Sequence, residues 1–349
     1  MKTSLQMVAG PLEAAQQDRT AAPVAAAVHE GLTSTPKWLP AWLFYDAIGS
    51  DLFEKITELP EYYPTRTERA IFAANADAII HTAMHAYQQM HRTDGRLRLL
   101  ELGAGTASKT GILLAAAIRR QGMTGYLPVD VSDAALDEAS SSLRRLLGQV
   151  DIKPQIANYV TDVLDVPPHN GPTLALYIGS SIGNFAPDEA VAILRNLRAQ
   201  LRPGDSLLLG TDLVKDESLL VAAYDDSQGV TAAFNLNMLQ RINRDLHADF
   251  DLSCFQHRAR WNGEESRMEM HLESLKPQTV HIPGANITVA FTTGETIHTE
   301  NSYKFTRESV RSLLSLSGFD AIATLQDEQK WFAVTLASAS VGASERRES

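Results

Sequence analysis

Sulfur chemistry is almost absent from this chain: one cysteine, Cys254, stands in 349 residues. A single thiol excludes an intramolecular disulfide and suits a reducing compartment, so a cytoplasmic protein is expected. Positive charge is scarce too. Against 42 acidic residues there are 31 lysines and arginines, a formal charge of −11. That balance argues against nucleic acid or an anionic membrane as partner, since both call for basic surface. No apolar run approaches the roughly 20 residues that span a bilayer. The opening stretch, MKTSLQMVAGPLEAAQQDRT, has charge and proline where a signal peptide needs an apolar core. No internal repeat is present. No metal is expected either: His81 and His85 stand at i, i+4, but no Glu lies between them and no third ligand is evident. Hydrophobic content of 44% supplies an ordinary core, and the length exceeds one typical domain, so one large or two interleaved domains are expected.

What is present is organised around Leu97–Thr110, LRLLELGAGTASKT. An apolar run meets a glycine turn and then a helical stretch, the first strand–helix unit of a nucleotide-binding sheet. The dinucleotide fingerprint wants a third glycine three residues after the second, and Ser108 stands there. No Gly-Lys-Ser/Thr follows, which excludes the common phosphate loop. The next strand, YLPVDV, ends on Asp130, a carboxylate suited to both hydroxyls of a ribose. A glycine turn without the third glycine, followed by this acid, favours S-adenosylmethionine over NAD.

Residues 1–30 read as a loose arm with one short helix, and the tail from Ser338 as fraying. Residues 36–71 crowd Trp38, Trp42, Phe44, Tyr45, Phe53, Tyr62 and Tyr63 between prolines, a helical cap whose phenol tips could serve a pocket. Thr65 and Glu68 have capping-box spacing, so the next helix is expected over 67–90. Strands are then expected at 97–102, 126–131, 155–160, 173–179 and 206–211, with helices at 109–121, 132–147, 187–201 and 217–240. This alternation predicts an α/β fold with a doubly wound parallel sheet and ligands at the strands' carboxyl ends. Those ends carry Gly103, Asp130, Asp162, and the loop GSSIGNF with Gly179 and Asn184. From Tyr224 to Ser302 the alternation gives way to antiparallel strands, read as an insertion. A helix over 306–316 and a closing hairpin complete a Rossmann-like methyltransferase core. The expected division is an arm (1–30), an α+β substrate domain (31–67 plus 215–304) and a donor-binding core (68–214 plus 305–349), with the substrate in the cleft between the last two.

Six blocks, from PKWLPAWLFYDAIGSDLFEKITELPEYYPTRTE through LELGAGTASKT, YLPVDVS, YIGSSIGNF and AYDDSQGVTAAFNLNMLQRINRDL to ENSYKFT, occur in the order of one family. Together they resemble the histidine Nα-methyltransferases of ergothioneine biosynthesis. The resemblance runs from Pro36 to the final hairpin. It implies trimethylation of the α-amine of L-histidine, a small-molecule substrate, to hercynine, with S-adenosylmethionine as donor; a monomer is expected. By matching motif, Gly103, Lys109, Asp130, Asp162, Val163 and Gly179 are expected at the donor, although Val163 stands where the family usually has an aromatic residue. Tyr62, Asn184 and Tyr224 are expected around the amine and carboxylate, with Asn184 and Tyr62 holding the reacting nitrogen. Glu300, Asn301 and Ser302 are expected to face the imidazole, and Tyr45, Phe53, Thr231 and Met270 to line the pocket. The rival readings are an N-methyltransferase acting on tryptophan or a biogenic amine, a non-catalytic donor-binding sensor, and, distantly, an NAD oxidoreductase.

Overall fold

A computed structural model of the chain describes residues 11–92 and 95–340. Among the described residues the helices are α1 (Pro11–Thr33), α2 (Ala47–Glu58), α3 (Tyr63–His91), α4 (Thr110–Gln121), α5 (Asp133–Leu147), α6 (Pro187–Ala199), α7 (Glu217–Tyr224), α8 (Val230–Leu246) and α9 (Arg307–Leu316). The strands are β1 (Lys37–Trp38), β2 (Arg98–Leu102), β3 (Thr124–Asp130), β4 (Val150–Ile152), β5 (Gln155–Ile156), β6 (Thr173–Tyr177), β7 (Ser206–Asp212), β8 (Phe255–Asn262), β9 (Arg267–Ser274), β10 (Gln278–Ile282), β11 (Ile287–Phe291), β12 (Thr296–Tyr303), β13 (Phe319–Gln326) and β14 (Phe332–Ala339). The chain divides into two compact units. The insert unit comprises residues up to Tyr62 with Asp216–Asn301; the core unit comprises Tyr63–Lys215 with the chain from Ser302 onward.

In the core unit the strand order is β13-β14-β7-β6-β2-β3-β4, with β5 pairing beside β3. The pairs β2–β3, β2–β6 and β6–β7 are parallel, and β14 enters antiparallel between β7 and β13. The order reverses at β2, whose carboxyl end is therefore the crevice where a ligand fits in an open α/β sheet. Alternate residues of each strand bury on opposite faces. Leu99, Leu174 and Leu208 pack against α3, α4 and α5, while Leu100, Ala175 and Leu207 pack against α6 and α9. This is the doubly wound, Rossmann-like α/β architecture expected from the sequence.

The insert unit holds a sheet ordered β1-β12-β9-β8, the separate pair β10–β11, and α1, α2, α7 and α8. β8 and β9 run antiparallel from Phe255 opposite Ser274 to Asn262 opposite Arg267.

Several local expectations are corrected. The described part of the N-terminal arm is a long helix rather than a loose segment, because Val24, Val28 and Leu32 form an i, i+4, i+8 stripe that buries. α3 begins at Tyr63 with Pro64 in its first turn, so Thr65 lies inside the helix. Glu68 is not a cap; it is wholly buried elsewhere. The helix expected over 217–240 is two, because the Asp226 carboxylate takes the N–H groups of Gln228, Val230 and Thr231 and starts α8 afresh. The strand expected over 155–160 stops after Ile156, where the Asp162 carboxylate folds the chain into a turn by accepting from the Asn158 N–H at 2.8 Å. The tail does not fray from Ser338, since β14 continues to Ala339; the rest of that expectation lies outside the described residues. The unit boundaries fall at 62/63 and 301/302. Tyr63 opens a core helix, and Lys304 is paired within the core unit.

Candidate active site

At the switch point β2 runs into Gly103, whose φ of +67° suits a residue without a side chain, and its N–H donates to the Val129 carbonyl at 2.8 Å. Asp130, ending β3, accepts from the Gly105 N–H and the Ser132 N–H, each at 3.0 Å and each on a different oxygen. Both oxygens keep a second lone pair. The Tyr159 ring lies over Gly103, within 3.5 Å of where a Cβ there would stand, and meets Tyr177 edge-on at 5.6 Å. Tyr159 is a wall of this crevice that sequence reasoning missed. Asp162 is exposed, and its carboxylate is engaged by its own loop through Asn158 and Thr161. Val163 is 86% exposed.

Lys109, at the head of α4, pairs with Glu68, which also accepts the Gly179 N–H at 2.9 Å. The Gly179 amide is thus committed to Glu68, and a Cβ at Gly179 would stand 3.2 Å from Lys109 Nζ. Two residues before Gly103, buried Glu101 accepts from the Thr110 hydroxyl at 2.7 Å and from Tyr126. Burial pushes its carboxyl up to about 7 against the pull of those hydroxyls and of Lys109.

A second polar cluster in the core unit centres on Asp212, which ends β7 as Asp130 ends β3. Its buried carboxylate accepts from the Tyr63 hydroxyl at 2.9 Å, from Lys215 at 2.5 Å and pairs with Lys304 at 3.0 Å. Burial acts to raise this carboxyl, and the two ammonium groups outweigh it and hold it below the usual range. Lys304 also donates to Ser302 Oγ at 2.7 Å. The Asp212 N–H donates to Ser180 Oγ at 2.9 Å, tying in the GSSIGNF turn. In that turn Ser181–Asn184 forms a short 3-10 helix that presents half-buried Asn184. Asn184 and Ser302 are thus carried by segments joined to one hub.

In the insert unit the expected pocket aromatics come together. Tyr45 and Phe53 meet edge-on at 5.9 Å, Phe53 and Tyr62 at 6.3 Å, and Tyr62 and Tyr224 at 6.5 Å. Phe234, from α8, touches both Tyr45 and Phe53 at 6.0 Å. One turn before it on α8 stands buried Thr231. His257 holds the Tyr224 carbonyl at 2.7 Å through Nε2, while its Nδ1 takes the Asn235 amide at 2.8 Å, which fixes the ring proton on Nε2. Met270 is buried on β9, and its carbonyl accepts from the Thr299 hydroxyl of β12 at 3.0 Å. The next residues on β12 are half-buried Glu300 and Asn301. His298 Nε2 holds the Glu300 carbonyl at 3.0 Å, and its ring stacks on His271 at 4.7 Å. Glu300 and Ser302, two apart on one strand, project to the same side.

Glu68, Tyr159, Asp212, Lys304 and His257 escaped sequence reasoning. For Asp212 a signal existed, because an acid closing a strand had already singled out Asp130. His81 and His85 place their rings 6.0 Å apart, and among the described residues no cluster of three or more potential metal ligands occurs. Nor is any described helix long and apolar enough to cross a membrane.

A family model described as "Histidine-specific methyltransferase, SAM-dependent" matches residues 24–339. A histidine N-alpha-methyltransferase of Mycobacterium tuberculosis is 42% identical over 89% of this chain and 93% of that protein. One from Mycolicibacterium smegmatis is also 42% identical, over the same shares. An L-tryptophan methyltransferase of Psilocybe serbica is 27% identical over 87% of this chain and 89% of that protein. The chain belongs to the S-adenosylmethionine-dependent, histidine-specific methyltransferase family.

Proposed function

We propose that this protein methylates the α-amine of L-histidine three times to hercynine, a step of ergothioneine biosynthesis. The observation that carries the substrate reading is the pair Glu300 and Ser302 on one side of β12, with the Ser302 oxygen already accepting from Lys304. An ammonium has no lone pair, so at that contact Ser302 is the acceptor and its own proton is turned to another partner. A hydroxyl donor beside a carboxylate acceptor matches a neutral imidazole, which offers one bare nitrogen and one N–H. An indole ring offers its N–H alone and leaves the hydroxyl donor without an acceptor.

The donor residues fit S-adenosylmethionine. The Gly103–Gly105 turn has positive φ at both glycines, Asp130 has lone pairs for a ribose, and Lys109 has charge for a carboxylate. When bound, that donor supplies the methyl group on an electrophilic sulfonium. The chain's own task is to present a neutral amine in line and to exclude water. Asn184 and Tyr62 hold the nitrogen with its lone pair forward, and Tyr224 supports the amino-acid end. No strong base is needed where burial disfavours the ammonium and water takes its proton. The ring cluster of Tyr45, Phe53, Tyr62, Tyr224 and Phe234 offers aromatic faces that suit the quaternary ammonium of the product.

The test is incubation with histidine, or with tryptophan, and S-adenosylmethionine, followed by mass spectrometry. Histidine should gain one, two and finally three methyl groups, and tryptophan none. Methylated tryptophan with untouched histidine would transfer the reading to the indole substrate.

A further inference from the structure

Glu68 is a fully buried carboxylate in the wall of the donor crevice. It projects from α3, and its partners come from two other elements. Lys109 pairs with it from the head of α4, and the Gly179 N–H, just past β6, donates to both of its oxygens at 2.9 Å. Beneath it lies Gly210 of β7, where a Cβ would stand 2.1 Å from Glu68 Oε1. The sheet therefore omits a side chain at Gly210 to admit this carboxylate. The side chain of Lys109 keeps 17% of its surface exposed while that of Glu68 keeps none. The Lys109 side chain thus remains partly open while its partner is sealed in.

A free lysine at this point would sample many rotamers, and ordering it on ligand binding would cost affinity. Pairing with an immobile carboxylate removes that cost beforehand. The same pairing decides which end of the donor Lys109 meets. S-adenosylmethionine carries hydroxyls on its ribose and a carboxylate on its amino-acid end. Asp130 suits the hydroxyls and repels the carboxylate. Lys109, beside the N-terminus of α4, attracts the carboxylate. We propose that Glu68 is a positioning residue that fixes the Lys109 ammonium to read the amino-acid end of the donor. This rests on the donor site described above and adds the residue that orients it.

The test compares two ligands by calorimetry on the full chain. S-adenosylhomocysteine has the amino-acid end, whereas 5′-methylthioadenosine lacks it and keeps the ribose and adenine. Wild-type protein should prefer the former. In Glu68→Gln the affinity for S-adenosylhomocysteine should fall roughly tenfold or more, as expected for loss of a charge-assisted contact, with 5′-methylthioadenosine held within about twofold. Gly210→Ala, which displaces the carboxylate without removing it, should produce the same selective loss and serves if Glu68→Gln does not fold. In a Lys109→Met background neither change should alter the preference further. An unchanged preference in both variants, or equal weakening of both ligands, overturns the proposal. Wild-type protein that binds neither ligand overturns the donor site itself, a distinct failure.

Discussion

In the proposed function, selectivity turns on Glu300. Its backbone carbonyl is held by His298, so the strand delivers the side chain from a fixed position. Two residues on, Ser302 is held by Lys304, which is itself anchored on Asp212. Replacing the carboxylate by an apolar group of similar shape leaves the imidazole N–H without an acceptor in a half-buried site. Leaving a polar substrate group unpaired costs far more than removing an apolar contact. Glu300→Val should therefore raise the KM for histidine by at least roughly tenfold. It should also narrow the gap in kcat/KM between histidine and tryptophan or phenylalanine, with donor affinity unchanged. Competition assays among the amino acids give the readout, and retained preference for histidine would remove Glu300 from the imidazole site.

At the scale of elements, the GSSIGNF turn and β12 form one working part. Gly183 lies against the backbone of Tyr303, and a Cβ there would come within 2.7 Å of the Tyr303 carbonyl oxygen. Backbone cannot yield as a flexible side chain can, so Gly183→Ala must push the turn and the strand apart. Asn184 and Ser302 would separate while Gly103, Asp130 and Lys109 stay in place. Turnover of histidine should fall by about tenfold or more, since small misplacement of reacting groups is costly. Binding of S-adenosylhomocysteine should hold; its loss would show that the turn belongs to the donor site instead. The sequence revealed the turn and the strands because their signals are local: glycine spacing, apolar alternation and an acid closing a strand. It misled at Glu68, whose spacing from Thr65 imitates a capping box and whose true partners lie 41 and 111 residues away. It was silent on the Asp212 hub, whose Tyr63 partner is 149 residues distant. The N-terminal helix was overlooked because its buried stripe of Val24, Val28 and Leu32 sits within an alanine-rich stretch of low contrast.

For the molecule as a whole, two buried titrating groups set opposite pH trends, one in each unit. His271, in the insert unit, is lowered to about 4 by burial and by neighbouring His298, against the pull of Glu269. A folded-state value below the unfolded 6.5 means that the folded chain binds fewer protons between them. Its contribution is complete above 6.5 and is lost as pH falls toward 4. Glu101, in the core unit, is raised to about 7, so its contribution is complete below the unfolded 4.5 and is lost as pH rises through 7. Each displacement corresponds to about 3 kcal/mol at its limit. Between pH 4.5 and 6.5 the two slopes oppose, so the wild-type sum should change little with pH on their account. Removing either group exposes the other. His271→Gln should lose stability as pH rises across this interval, and Glu101→Gln should gain it. Denaturant unfolding of both variants at pH 4.5, 5.5 and 6.5 measures the slopes. The wild-type curve alone says little, because a flat profile also arises when neither group titrates. Opposite slopes in the two variants distinguish balance from absence, and parallel slopes would show that one of these groups carries no folding-linked proton.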